Sequence, residues 1–134
     1  MLRKKTVFPV CLIIILIITA IIAEPQKIGR KPFAKISGAD IAYATVRLLP
    51  PDKTVALTDL YNLADALNDV VIYEKDNSYT DYDGQAVVFT VTMTDGTKTV
   101  INAYNPFIVI DGVGYRTKYE PCERLSQLAN KLLG

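Results

Sequence analysis

Val7 to Ala23, VFPVCLIIILIITAIIA, is seventeen residues with no charge and, apart from Thr19, no strong hydrogen-bonding side chain. A helix formed from such a run has no polar face to turn towards water, so it needs apolar surroundings on every side. At about 1.5 Å per residue it covers roughly 25 Å, against a bilayer core of about 30 Å. It is slightly longer than the apolar core of a secretory signal, about 7–15 residues. Arg3, Lys4 and Lys5 make a basic n-region of residues 1–6. Small side chains are preferred just before a signal cleavage site. Ile21 stands three residues before the bond after Ala23, and Ile18 stands two before Ala20. Residues 7–23 therefore read as a retained transmembrane or signal-anchor helix. Cleavage and release of a secreted domain is the alternative.

The basic start argues for an N-terminus inside. Lys27, Arg30, Lys31 and Lys35 follow the span, opposed by Glu24, and the positive-inside rule weighs both flanks. A basic cluster at the extreme start, one apolar segment and one compact domain suit a single-pass protein of the cell membrane with its C-terminal domain outside. Residues 24–36 are polar, basic and broken by Pro25, Gly29 and Pro32, the composition of a linker. Fully extended, they span about 40 Å and hold the domain off the bilayer. Residues 1–35 carry seven Lys/Arg and one acid, and residues 36–134 carry eight Lys/Arg and thirteen acids. The basic flank suits anionic lipid headgroups. The acidic remainder is repelled by phosphate, which argues against nucleic acid.

Residues 37–134 make one small domain. Period-two alternation runs from Ile41 to Leu48, with Ala42, Ala44, Val46 and Leu48 on one side, and Pro50-Pro51-Asp52 ends it. Lys53 to Leu57 returns as a short strand. Thr58 is placed to cap a helix whose apolar face is Leu60, Leu63, Ala64 and Leu67. Val70 to Glu74 is a strand, and Lys75 to Gly84 a polar connection. Ala86 to Thr94 alternates clearly. Asp95-Gly96 and Asp111-Gly112 are hairpin signals around strands at Thr97 to Tyr104, Phe107 to Ile110 and Tyr115 to Lys118. Pro121 fits the first turn of a last helix with Leu125, Leu128, Ala129 and Leu132 on one face. The expected architecture is α+β: an antiparallel sheet of five to seven strands with two helices packed on one face, preceded by the N-terminal hydrophobic helix.

The chemistry is limited by what is missing. The chain has no histidine, the commonest general base and zinc ligand. No phosphate-binding glycine loop is present, no serine sits in a nucleophile elbow, and no cofactor is expected. Asp76, Asp81 and Asp83 offer oxygen ligands for Ca²⁺. Counted from Gly84, however, an EF-hand would need acids where Tyr79 and Thr90 stand, so no metal is expected either. Cys11 lies in the apolar run, out of reach of Cys122 if that run stays in the membrane, so no internal disulfide is expected. Cys122 shares the face of Leu125 and Ala129 and reads as a buried small apolar residue. A carboxylate-based enzyme using Asp81, Asp83 or Asp111 is the minor alternative to a non-enzymatic protein.

The eight tyrosines stand out, because tyrosine supplies amphipathic contact area at interfaces. Tyr104, Asn105, Asp111, Tyr115, Arg116 and Tyr119 cluster around two turns. Tyr115, Thr117 and Tyr119 are expected to project from one side of a strand. These six site residues are the candidate recognition surface for a protein, peptide or glycan.

The stretch YNPFIVIDGVGYRTKYEPCERL, with ATVRLLPPDKTVALTD and DGQAVVFTVTMTDGT, resembles an uncharacterised family of small membrane-anchored or exported α+β proteins of Gram-positive bacteria, chiefly clostridia. The resemblance covers roughly residues 36–133. It implies location and lineage, and no functional residues. The combined expectation is a membrane-anchored extracytoplasmic binding domain, with an accessory or sensory subunit of a membrane complex as the alternative.

Overall fold

The computed structural model describes residues 28–133. The expected n-region, the apolar segment 7–23 and residues 24–27 lie outside the described residues. Within them the fold is α+β, a seven-stranded antiparallel sheet with two helices. The strands are β1 (Ile41–Leu49), β2 (Lys53–Ala56), β3 (Ile72–Lys75), β4 (Ala86–Met93), β5 (Lys98–Tyr104), β6 (Phe107–Ile110) and β7 (Val113–Thr117). The helices are α1 (Leu60–Asn68), between β2 and β3, and α2 (Tyr119–Leu133), after β7. No described helix is long and apolar enough to cross a membrane.

The sheet order is β2-β1-β4-β5-β6-β7-β3. The β4–β7 meander follows from its turn residues: Asp111 and Gly112 both take positive φ, as a two-residue hairpin requires, while in the β4–β5 turn the Met93 N–H bonds the Thr97 carbonyl across a three-residue loop that ends with Gly96 at positive φ. The outlier is β3. It lies beyond β7 at the far edge, because α1 carries the chain across the sheet from β2.

Cross-strand register separates the two faces. Val46, Phe89, Ile101 and Ile110 form one row, and Leu48, Val87, Ala103, Ile108 and Tyr115 the next. Both rows pack against Leu63, Ala64, Ala66 and Leu67 of α1 and against Cys122, Leu125 and Ala129 of α2. Burial of these side chains is the main stabilising contribution, about 1.5–3 kcal/mol for each large aliphatic one.

Three local expectations shift. A bulge between Ile41 and Tyr43 puts Ile41 in the core and leaves Ala42 exposed, because the extra residue reverses the alternation. The helix cap is Asp59 rather than Thr58, its carboxylate accepting the Asn62 N–H at 3.0 Å. Leu132 is 46% exposed, near the end of α2.

The larger difference concerns the linker. Arg30 exchanges two backbone hydrogen bonds with Ile72, at 2.9 and 2.8 Å, and so extends the sheet beyond β3. Phe33 is buried in the core. The Asn68 side-chain amide donates to the carbonyls of Phe33 and Ile36, at 2.7 and 2.8 Å. Residues 30–36 are thus part of the folded domain. Phe33→Ala is therefore expected to cost about 3 kcal/mol, as for other buried phenylalanines, measured by urea unfolding. An unchanged midpoint would show that the segment is only a tether.

Candidate functional site

The second face of the sheet carries the row Tyr104, Phe107, Arg116 and the row Arg47, Val88, Asn102, Val109, Gly114. Because β3 lies at the far edge, residues 76–85 must return over this face to reach β4. They do so as a strap containing the 3-10 turn Ser78–Asp81. Tyr79 and Tyr82 tilt onto the Phe107 ring, with centroids 6.4 and 5.6 Å away. The Arg116 guanidinium lies 4.6 Å from the same ring and bonds Asp76 at 2.8 Å. The Asn77 side chain accepts the Gly114 N–H at 2.8 Å. A Cβ at Gly114 would stand 2.7 Å from the Tyr79 ring, so a glycine is required for the strap to lie flat. Phe107 is thereby fully buried.

Beside the strap, the turn at Asn105 and Pro106, joined by a cis peptide bond, opens a cleft of about 290 Å³. Tyr82 and Asp83 form its strap wall, Tyr104 and Asn105 its turn wall, and Glu123 and Ser126 its helix wall. Gly84 lets the Tyr104 ring close in, since a Cβ there would be 2.9 Å from the phenol oxygen. The Asn105 amide donates to the Tyr119 carbonyl at 3.1 Å and to the Glu123 carboxylate at 3.3 Å. Its Oδ1 is buried and accepts no bond from any described residue, a deficit worth about 1–3 kcal/mol. A larger groove of about 470 Å³ runs between Asp59 and Leu132, floored by Leu57 and Leu128, and holds none of the six expected site residues.

Tyr104, Asn105 and Tyr119 meet at this turn, and the other three expected residues do not join them. Asp111 is at the opposite tip of β6, with its carboxylate accepting the Val100 N–H at 2.9 Å. Tyr115 is on the helix side, packed against the core. Arg116 is on the strap side. Tyr115, Thr117 and Tyr119 do not share an exposed strand face: Thr117 is buried, with its hydroxyl donating to the Val71 carbonyl at 2.7 Å, and Tyr119 begins α2. Glu123, Ser126 and Tyr82 escaped sequence reasoning. The only signal was the spacing of Glu123 and Ser126, which puts them on one helix face.

Burial pushes the Cys122 thiol up to about 12, and Cys122 packs in the core with Sγ 3.5 Å from the Phe107 carbonyl. Among the described residues no three His, Cys, Asp or Glu side chains cluster as metal ligands. Asp76 is held to about 2 by hydrogen bonds from Ser78, hydroxyl and backbone N–H, and then from Arg116. Its folded value is depressed below the ordinary carboxylate value of about 3.9. Its stabilising contribution is therefore complete above about pH 4 and lost as pH falls towards 2. Amide exchange in the strap is expected to rise over that window and to lose its pH step in Asp76→Asn. An identical step in the variant would assign it to another group.

No protein-family model matches the chain, and no curated protein or solved structure matches it.

Proposed function

We propose that this protein is a membrane-anchored, extracytoplasmic binding domain whose cleft takes a cationic, donor-rich group. An ammonium or guanidinium on a peptide, or an amino sugar, has that chemistry. The reading is carried by the cleft wall, where the carboxylates of Asp83 and Glu123 and the phenols of Tyr82 and Tyr104 stand together with no lysine or arginine among the lining residues. Carboxylates draw in a cation, and tyrosine faces add a cation–π contribution of about 0.5–2 kcal/mol. Of the three carboxylates considered for catalysis, Asp83 lines the cleft, Asp81 lies in the strap turn and Asp111 is at the other end of β6.

The probe is a short lysine-rich peptide titrated onto the full chain in detergent, with its fully acetylated form as the control. Glu123→Gln is expected to weaken binding roughly tenfold, the loss of one charged hydrogen-bonded contact, and acetylation to abolish it. Equal affinity for both peptides refutes the cationic reading.

The placement outside the cell is supported by the basic start and the apolar run of residues 7–23. Protease added to intact cells is expected to degrade the domain. If the domain is spared there and degraded only after lysis, the orientation is the reverse.

A further inference from the structure

We propose that the β3 edge of the sheet is a membrane-apposed surface, lying against anionic lipid headgroups. The proposal rests on the reading of residues 7–23 as a membrane segment. Because Arg30 is locked to Ile72, only residues 24–29 separate the end of the apolar run from a fixed point on the domain. Six residues reach about 20 Å at most, half the span of a free linker. The β3 edge is therefore the part of the domain brought closest to the bilayer.

The chemistry of that edge matches the location. Arg30 and Lys31 are exposed, and so are Lys75 at the end of β3 and Lys118, whose N–H bonds the Val71 carbonyl at 3.1 Å, whereas Lys35 lies away from this edge beside Asp40 and Asp95. Four carboxylates lie nearby. Asp76, next to Lys75, is paired with Arg116 at 2.8 Å, Asp69 is 3.5 Å from Arg124, Glu74 stands on β3 and Glu120 follows Lys118 by two residues. With Asp76 and Asp69 paired to Arg116 and Arg124, Arg30, Lys31, Lys75 and Lys118 stand against Glu74 and Glu120, so the edge has a modest positive excess on a domain that is otherwise acidic. Ile28 is 91% exposed beside these cations, and the half-buried Tyr73 ring packs over Gly29. An aliphatic side chain and a tyrosine among lysines is the composition of a membrane interface. Each cation near an anionic surface contributes about 1 kcal/mol. The domain is thus held flat by its edge and does not swing on a long tether.

The test uses the full chain reconstituted in vesicles of phosphatidylcholine alone or with about 30% phosphatidylglycerol. A membrane-impermeant amine reagent is applied, and modification rates at Lys31 and Lys118 are read by mass spectrometry. Lys53, on the opposite edge strand β2, is the internal reference. With phosphatidylglycerol present, the rates at Lys31 and Lys118 relative to Lys53 are expected to fall at least roughly threefold. They are expected to recover in about 0.5 M salt, which screens the surface. Equal ratios in both vesicles, with the chain still resisting alkaline extraction, overturn the docking and leave the anchor intact. Extraction of the chain into the supernatant removes the anchor and the docking together.

Discussion

The passage of α1 across the sheet is the constraint from which the other features follow. Strands β2 and β3 are the two edges of a seven-stranded sheet, roughly 29 Å apart at the usual strand spacing. The nine residues of α1 cover roughly 13 Å. Residues 57–59 and 69–71 add roughly 20 Å when extended, so the connection is only just long enough and has to run straight. It can do so because Leu63, Ala64, Ala66 and Leu67 are all buried against the strand rows below. Two consequences follow. The chain arrives at the far edge and must come back over the open face to start β4. Its C-terminal end, at Asn68, also meets residues 30–36 and holds them.

The second face therefore has a core of its own. Phe107 faces away from the helices, yet it is fully buried under Tyr79, Tyr82 and Arg116. The strap that covers it is polar in sequence apart from these two tyrosine rings. It is held by directed bonds: Asp76 to Arg116, Asn77 to the Gly114 amide and Asp76 to the Ser78 amide. Bonds of this kind exchange with water more readily than a packed aliphatic core does. The strap wall of the cleft is accordingly held by polar bonds and two rings, while the turn and helix walls are tied to β5 and α2.

The meander, both helices and the strand count were legible, because Asp-Gly turns and 2- and 3.6-residue periods are local signals. What was not legible depended on partners far along the chain. The composition of residues 24–36 is that of a linker, and only one ring, Phe33, and one amide, Asn68, thirty-five residues apart, make part of it structural. The bulge at Ala42 leaves no mark on the alternation pattern. Of the six expected site residues, sequence proximity grouped Tyr115 with Arg116, but neighbouring positions on a strand face opposite ways. The same rule sends Tyr115 to the helix side and Arg116 to the strap. Glu123 and Ser126 entered the cleft through the docking of α2, which no local pattern specifies.

The cleft and the basic edge belong to one end of the molecule. The Thr117 N–H bonds the Pro106 carbonyl at 3.1 Å, and the next residue, Lys118, bonds Val71 at 3.1 Å. The turn that opens the cleft, the end of β7, the start of β3 and Arg30 are therefore successive neighbours across the sheet end. About three strand spacings, roughly 15 Å, separate the cleft from the surface proposed to face lipid. An anionic bilayer raises the local concentration of cations in the layer within about one Debye length of its surface, about 8 Å in physiological salt. At roughly 15 Å, about two Debye lengths from the surface proposed to face lipid, the cleft lies beyond that layer, so its own carboxylates, not the bilayer, supply its attraction for a cation. The acidic cleft and the basic edge, which look opposed as charges, then have separate parts in the proposed arrangement: the edge would set the orientation of the domain above the bilayer, and the walls of the cleft would set what it binds.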